Sequence, residues 1–181
     1  MTVKLNVPYV SQWDPTAHLS RGDCGIVAAC MIALWLGIKA TPDEMLQKAW
    51  LPIGRYIYDF PDVIKAAQAV GVTLSYQYPA TWKEIKLELD AHRPVITLLR
   101  YGVISGNQDD FDGSHFWTVI GYDDTGVFVN DPDWWLPRRD EGANRHIPMA
   151  EFTKAIGTPL LQTGNKPYQS LFVVLRDVDG V

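Results

Sequence analysis

Hydrophobic and polar positions change their rhythm once along the chain, near Arg93-Pro94. Before that point most apolar residues recur at helical spacing. Over residues 24–36 they are small or apolar almost all round (Gly25, Ile26, Val27, Ala28, Ala29, Cys30, Met31, Ile32, Ala33, Leu34, Trp35), which predicts a helix buried on every side. Asp23 is placed to cap its start and Gly37 to end it. Thr41-Pro42-Asp43-Glu44 has the form of a capping box with proline at the first helical position, opening a short helix to about Ala49. Residues 62–70 read as another helix stopped by Gly71, and Thr81-Trp82-Lys83-Glu84 repeats the capping pattern ahead of Ile85, Leu87 and Leu89. Leu5-Asn6-Val7-Pro8-Tyr9-Val10 alternates weakly and reads as an edge strand running into a polar loop over residues 11–23.

After Arg93-Pro94 the apolar runs become short and β-branched: Val95-Ile96-Thr97-Leu98-Leu99, Phe116-Trp117-Thr118-Val119-Ile120, Val127-Phe128-Val129 and Leu171-Phe172-Val173-Val174-Leu175. Asp123-Asp124-Thr125-Gly126 is a hairpin turn, so the second and third of these strands are antiparallel neighbours. Residues 149–156 predict one more short helix. A helical half followed by an antiparallel sheet is an α+β arrangement, and the junction of the two is a natural cleft. No repeat, low-complexity tract or linker divides the sequence, so one domain over residues 1–181 is expected.

Composition narrows the function classes. The 181 residues are 47% hydrophobic and 20% charged, and carry a net charge of −5 without any Lys/Arg-rich run, which argues against nucleic acid as a partner. No apolar stretch approaches the roughly 20 residues of a membrane helix. Met1-Thr2-Val3-Lys4-Leu5-Asn6 leads into a strand-like run and not a signal peptide, so a cytoplasmic location, or release without a classical signal, is expected. Cys24 and Cys30 fall on one predicted helix, where about 100° per residue turns them to different faces, so they do not form a disulfide with each other. A zinc site built from them and a histidine lacks the C-x₂₋₄-C spacing. Asp110-Phe111-Asp112-Gly113 has a fragment of a calcium loop, but Val119 stands where the loop's glutamate belongs. No metal or cofactor is expected.

The sharp chemical feature is Gly22-Asp23-Cys24-Gly25, a thiol at a predicted helix N-terminus with flanking glycines that allow close approach of backbone or substrate. Unpaired N–H groups and the helix dipole favour a thiolate there. Cys30, deep in the apolar run, fits the ordinary role of cysteine as a small buried hydrophobe. A thiolate nucleophile needs a base and a group that orients the base. His115 opens the strand after Gly113-Ser114, and Asp131 ends the returning strand ahead of Pro132, so the hairpin brings both to the same end of the sheet. A symmetrical loop around Asp124 and Thr125 would set Asp131 opposite Thr118, on the wrong face for His115. An irregular hairpin is therefore expected, with Gly126 as the candidate left-handed residue. Of the other histidines, His18 lies in the polar loop, His92 ends a helix, and His146, next to the charged stretch 138–145, is the reserve base.

With these residues in place the chain resembles the papain-like cysteine peptidases, in particular the subgroup related to bacteriocin-leader-processing, or double-glycine, peptidases. The resemblance is carried by Val7-Pro8-Tyr9-Val10-Ser11-Gln12-Trp13, by Asp23-Cys24-Gly25 with its helix ending Trp35-Leu36-Gly37, by His115-Phe116-Trp117-Thr118-Val119-Ile120-Gly121-Tyr122-Asp123, and by Val129-Asn130-Asp131-Pro132. It implies a papain-like fold with an N-terminal helical half packed on a C-terminal antiparallel sheet. It also makes Cys24 the nucleophile, His115 the general base and then acid, Asp131 the orienter of the imidazole and Gln12 a side-chain donor to the oxyanion hole, with the Cys24 backbone N–H as second donor. The reaction would pass through an acyl-enzyme thioester. Asn130 is of the other residue type such enzymes use as orienter, and strand alternation lets only one of the pair face His115.

Leader-processing members are usually fused to a membrane transporter, so leader cleavage does not carry over to a chain without a membrane segment. The substrate class is a peptide, with the peptide part of bacterial cell wall (peptidoglycan) among the candidates, as for lysin domains of this general fold. The loop Asn107-Gln108-Asp109-Asp110-Phe111-Asp112 is acidic and precedes the base, which would favour a cationic substrate group and raise the His115 pKa, or is simply solvated. Trp13, Trp117, Trp134 and Trp135 flank the site positions, and exposed ones could line a groove, whereas Trp117 suits the core. Two further readings use the same residues: a catalytically inactive papain-like binding module, and acyl transfer to an amine in place of water.

Overall fold

The structure is a computed structural model that describes residues 2–14, 23–54, 58–77, 80–107, 111–161, 167–168 and 171–175, with 161 and the last two segments described as backbone. Its centre is α1 (Cys24–Trp35), whose residues Cys24 to Ala33 are all buried. The Gly37 stop is a Schellman motif: Ile38 N–H bonds Ala33 O at 2.9 Å, Gly37 N–H bonds Leu34 O at 3.0 Å, and Gly37 takes φ +79°. Asp23, by contrast, does not cap with its side chain. Its backbone is near-helical (φ −92°, ψ 2°) and not extended, so the carboxylate is not placed over the first-turn N–H groups.

Helix α2 (Pro42–Lys48) opens on the expected capping box, with both Thr41 and Glu44 bonds formed. Helix α3 (Phe60–Gln68) starts earlier than its apolar pattern, because Asp59 and Asp62 form a second capping box around Pro61. Strand β2 (Leu74–Gln77) follows, then α4 (Trp82–Asp90), where the Thr81 hydroxyl bonds the Glu84 carboxylate and not a helix N–H. After it come β3 (Val95–Arg100), a 3-10 turn at Tyr101–Val103, β4 (Ser114–Tyr122) and β5 (Gly126–Asn130). The chain closes with β6 (Arg145–Pro148), α5 (Met149–Gly157), β7 (Leu160–Leu161), β8 (Pro167–Tyr168) and β9 (Leu171–Leu175).

Among the described residues the main sheet is antiparallel in the order β2-β9-β3-β4-β5-β6. The first strand, β1, is only Val3–Lys4 and pairs with Tyr122 and Gly121, on the β4 edge beyond the reach of β3. The expected edge strand over residues 5–10 is therefore not a strand. Leu5 N–H still reaches Ile120 O, but β4 is irregular at that point and Pro8 has no N–H to extend the ladder.

Both faces of the sheet are covered. Helices α1, α2 and α3 pack on one face around Ile96 and Phe116, with Leu74 from β2. On the other face α4 and α5 bury Ile85, Leu89, Phe152, Ala155 and Ile156 against Val95, Leu99, Trp117, Val119, Val127 and Val129. The fold is thus α+β, with the N-terminal helices on an antiparallel sheet as expected, and with α4 and α5 as a second cover.

The β4–β5 hairpin is irregular. Tyr122 faces Val127 and Gly121 faces Phe128, but Val119 faces Val129 and Thr118 faces Asn130, so Ile120 is the extra residue. The bulge is in β4 and not at Gly126, which is not among the left-handed glycines. Its effect is the expected one: Asn130, not Asp131, stands opposite Thr118, and Asp131 falls one position nearer His115.

Gly25 fixes how closely α1 approaches its neighbours. A Cβ there would lie 2.7 Å from Val63 Cγ2 and 3.0 Å from Phe116 Cδ2. Gly25→Ala should therefore cost about 1–3 kcal/mol, the usual range for overpacking a core. Thermal unfolding should show a Tm lower by several degrees; an unchanged Tm would mean that this contact is loose.

Candidate active site

Cys24 is the first residue of α1 and is 9% exposed, so its sulfur sits where the helix presents unbonded N–H groups at the edge of the core. His115 is the second residue of β4 and only 2% exposed. The Tyr101 ring packs on the imidazole with centroids 4.2 Å apart. His115 Nε2 lies 2.8 Å from Asp131 Oδ1. A carboxylate only accepts, so Nε2 carries the hydrogen and Nδ1 is left for the other partner. On that side stands Cys24, whose side chain adds to the rise of the imidazole pKa.

Asp131 is fully buried and is the most heavily bonded side chain of the site. Its Oδ1 accepts from His115 and, at 3.1 Å, from the Asp133 N–H. Its Oδ2 accepts from the Tyr101 hydroxyl at 2.8 Å, from Trp134 Nε1 at 3.2 Å and from Arg145 Nη1. Burial alone would raise the Asp131 pKa, but the charges and hydrogen bonds of His115 and Arg145, with the Tyr101 bond, hold it far below the usual carboxylate range. At His115 burial works downward, and Asp131 and then Cys24 outweigh it, so the imidazole titrates well above its ordinary 6.5. Burial and the Asp131 charge keep the Tyr101 hydroxyl protonated.

The causes that raise His115 are Asp131, first, and then Cys24. Of the acidic loop, Asp112 is paired with Arg100, and Asn107 donates to the Tyr101 and Ile104 carbonyls and accepts from Arg145; residues 108–110 lie outside the described residues.

Gln12 is 2% exposed and is held to the chain that follows Asp131. Its N–H bonds Pro132 O at 3.0 Å, and its Nε2 donates to Asp133 Oδ1 at 2.8 Å. Trp13 Nε1 donates to the same oxygen at 2.7 Å. Among the described residues Gln12 Oε1 has no hydrogen-bond partner. Tyr9, Ser11 and Gly142 complete the seam. The Tyr9 hydroxyl reaches Asp131 O at 3.1 Å, Ser11 Oγ donates to Trp134 O at 2.9 Å, and Asp131 N–H bonds Gly142 O at 2.8 Å. Only glycine fits at position 142, since a Cβ would stand 2.2 Å from Asp131 O.

Asn130 does not share the His115 contact. Its Nδ2 bonds Val7 O and its Oδ1 accepts from Asn144 N–H, both at 3.0 Å, so it ties loops together on its own side of the strand. His146, the reserve base, is partly exposed beside Asp123 and Thr125 at the hairpin turn. His92 ends α4 with φ +57°, and His18 and Gly22 lie outside the described residues. Cys30 bonds Ala40 O at 3.3 Å, and burial pushes its thiol up to about 12, the state of an inert core cysteine. Trp117 and Trp134 are buried, whereas Trp13 and Trp135 are half-buried and meet edge to face with centroids 5.9 Å apart.

Four contributors are not legible in the sequence as site residues in their own right: Tyr101, Asp133, Trp134 in its role as a donor, and Arg145. Asp133 and Trp134 are signalled only by sitting within three residues of Asp131. Tyr101 and Arg145 arrive from other elements, and nothing local marks them.

Residues 4–156 match the model of the Peptidase_C39 like family, and the chain belongs to that family. No curated protein matches it. Among solved structures it is similar to a Bacillus anthracis protein described as a C39-like peptidase, with 18% identity, 98% of each chain covered and a TM-score of 0.64. It is also similar to a double glycine motif protease of an AMS/PCAT transporter solved with its leader peptide (15% identity, 97% and 95% covered, TM-score 0.58). A third likeness is to the peptidase domain of Streptococcus ComA, a bi-functional ABC transporter of a quorum-sensing pathway (13% identity, 95% and 100% covered, TM-score 0.62). At these identities the likeness shows a shared fold. Among the described residues no helix of this chain is long and apolar enough to cross a membrane.

The His115–Asp131 pair makes stability depend on pH in a fixed sense. The depressed Asp131 contributes stability that is present above its unfolded value of about 3.9 and lost as pH falls toward the folded one. The elevated His115 contributes stability that is present below about 6.5 and lost as pH rises through the folded value. Asp131→Asn should therefore cost about 3–5 kcal/mol near pH 6, the range for breaking a buried pair, and less near pH 9. Urea unfolding of both proteins at the two pH values measures this; an equal cost at both would mean that the pair is not ionised.

Proposed function

We propose that this C39-like chain is a cysteine peptidase, one papain-like domain over residues 1–181 that cleaves a peptide or amide bond through a thioester on Cys24. The observation that carries the reading is the buried imidazole of His115, bonded to the Asp131 carboxylate and raised in pKa by that carboxylate and by the Cys24 side chain at the head of α1. Asp131 holds the ring with Nε2 protonated, so Nδ1 is the atom that exchanges a proton with sulfur. The raised His115 pKa favours an imidazolium beside a thiolate, the form in which a cysteine is nucleophilic at neutral pH.

In the acylation step Cys24 Sγ forms a bond to the scissile carbonyl carbon while the C=O electron pair moves onto oxygen. The Cys24 backbone N–H and the Gln12 amide are the donors for that oxyanion. Gln12 Nε2 spends one hydrogen on Asp133, which fixes the amide with its nitrogen in this orientation and leaves the second hydrogen to donate. Collapse breaks the C–N bond as His115 gives its Nδ1 proton to the leaving amine. Water then attacks the acyl carbon as His115 takes one of its protons, a C–O bond forms, the C–S bond breaks, and the acid product leaves with the thiolate and imidazolium restored. The substrate is a peptide, with the peptide part of cell wall among the candidates; a leader peptide is what the AMS/PCAT relative was solved with.

Incubation of the protein with a peptide library and with cell-wall fragments, alongside an iodoacetamide probe, tests the reading. Cys24→Ala should abolish both turnover and labelling, and Cys30→Ala should leave both intact. Full turnover by Cys24→Ala, or labelling that follows Cys30, would overturn the assignment. Gln12→Ala should lower kcat by about 10²–10³-fold with KM little changed, the effect of removing one oxyanion donor. The alkaline limb of kcat/KM should lie well above pH 6.5, because deprotonation of the elevated His115 is what ends the ion-pair form.

A further inference from the structure

Arg145 has no role in the chemistry just described, yet it occupies a costly position. It stands on β6 opposite Val129, with a side chain only 10% exposed. Its Nη1 bonds Asp131 Oδ2, and Nη1 and Nη2 reach Asn107 Oδ1 at 3.2 and 3.3 Å. The guanidinium lies over the Trp134 ring, 4.8 Å from its centroid. Carboxylate, amide and indole thus hold it from three directions, and a buried guanidinium is expensive without such partners.

Orientation of Asp131 does not require it. The Tyr101 hydroxyl, Trp134 Nε1 and the Asp133 N–H already fix the carboxylate, and all three are neutral donors. What Arg145 adds is a positive charge on the oxygen opposite the one that His115 uses. Two cations therefore share one buried anion, and each weakens the other's hold on it. Among the described residues the other ionisable groups facing this centre are Cys24 from α1, Tyr101 from the 3-10 turn, Asp133 from the segment after β5, and Tyr9 at the Asp131 carbonyl, while Arg138, also over the Trp134 ring, is half exposed and paired with Glu141. Arg145 is thus the permanent cation that touches the Asp131 carboxylate itself.

We infer that Arg145 is a positioning residue of the site, which draws charge from Asp131 and so limits how tightly His115 is held as an imidazolium. The inference rests on the peptidase reading for its functional meaning, because an imidazolium that never released its proton could not serve the leaving amine. Arg145 would then set the upper end of the pH range in which the site works.

Imidazole resonances of His115, followed by NMR across pH, provide the test. In Arg145→Met, and in Arg145→Gln, which keeps donors for Asp131 and Asn107 without the charge, the His115 midpoint should rise by about one pH unit, as expected for removal of a like charge within a few ångströms. Arg145→Lys should leave it within a few tenths. The alkaline limb of kcat/KM should move by the same amount and in the same direction. Coupling is reciprocal, so in the wild-type protein the Arg145 guanidinium resonances should shift at the His115 midpoint. An unmoved midpoint in the uncharged variants, or Arg145 resonances blind to His115 in the wild type, would overturn the inference. Cys24 labelling separates the two readings. If labelling is intact and the His115 midpoint is unmoved, only the Arg145 role fails. If the midpoint rises and Cys24 is unreactive, only the peptidase reading fails.

Discussion

One carboxylate, buried beyond the reach of water, is the constraint around which this molecule is arranged. An isolated charge in such a place would cost several kcal/mol, so Asp131 stays ionised only because five donors converge on it. They come from β4, from the 3-10 turn after β3, from the two residues beyond Pro132 and from β6. Each of those elements must be in register for the carboxylate to be satisfied, which makes the site a check on the correctness of the fold. The same density of donors leaves the carboxylate almost no freedom, and that rigidity passes directly to the imidazole it holds.

Two local devices bring the parts to one point. The bulge at Ile120 shifts the β4–β5 register by a residue, without which Asp131 would face the wrong side of the sheet for His115. Gly25 lets the first turn of α1 press against Val63 and Phe116, and Phe116 is the residue next to His115. Core packing thus fixes where the head of α1, with its thiol, stands against the strand that carries the imidazole. Gly142 does the same for the backbone beneath Asp131. The geometry of this site is built from close approaches that larger side chains would prevent.

Much of this was written in the chain in readable form. The α+β class, the five helices, the β4–β5 turn and the positions of Cys24, His115 and Asp131 follow from local patterns, because caps, glycines and alternating runs act over a few residues. The irregular hairpin was legible as a necessity, since regular pairing contradicted the placement of Asp131, but its location was not. Bulges depend on what each edge of a strand meets, and the β4 edge passes from β3 to β1 at that point. Strands β2 and β6 escaped notice because each has four residues and little apolar signal. In the sequence Arg145 is one charge in a charged stretch, for its partners Asn107, Asp131 and Trp134 are brought to it only by tertiary structure. The start of α3 was missed for a different reason: an Asp59…Asp62 box is a weaker sequence signature than the Thr-x-x-Glu form.

The central claim is that Asp131, acting through His115, keeps the Cys24 sulfur in its reactive form. It is tested most directly by the rate at which iodoacetamide alkylates Cys24 near pH 6 in the wild-type protein and in Asp131→Asn, both verified as folded. The account predicts that the substitution slows alkylation at this pH by about tenfold or more, as for the loss of roughly 1.4 kcal/mol or more of stabilisation of the ion pair. Equal rates in the two proteins would contradict it.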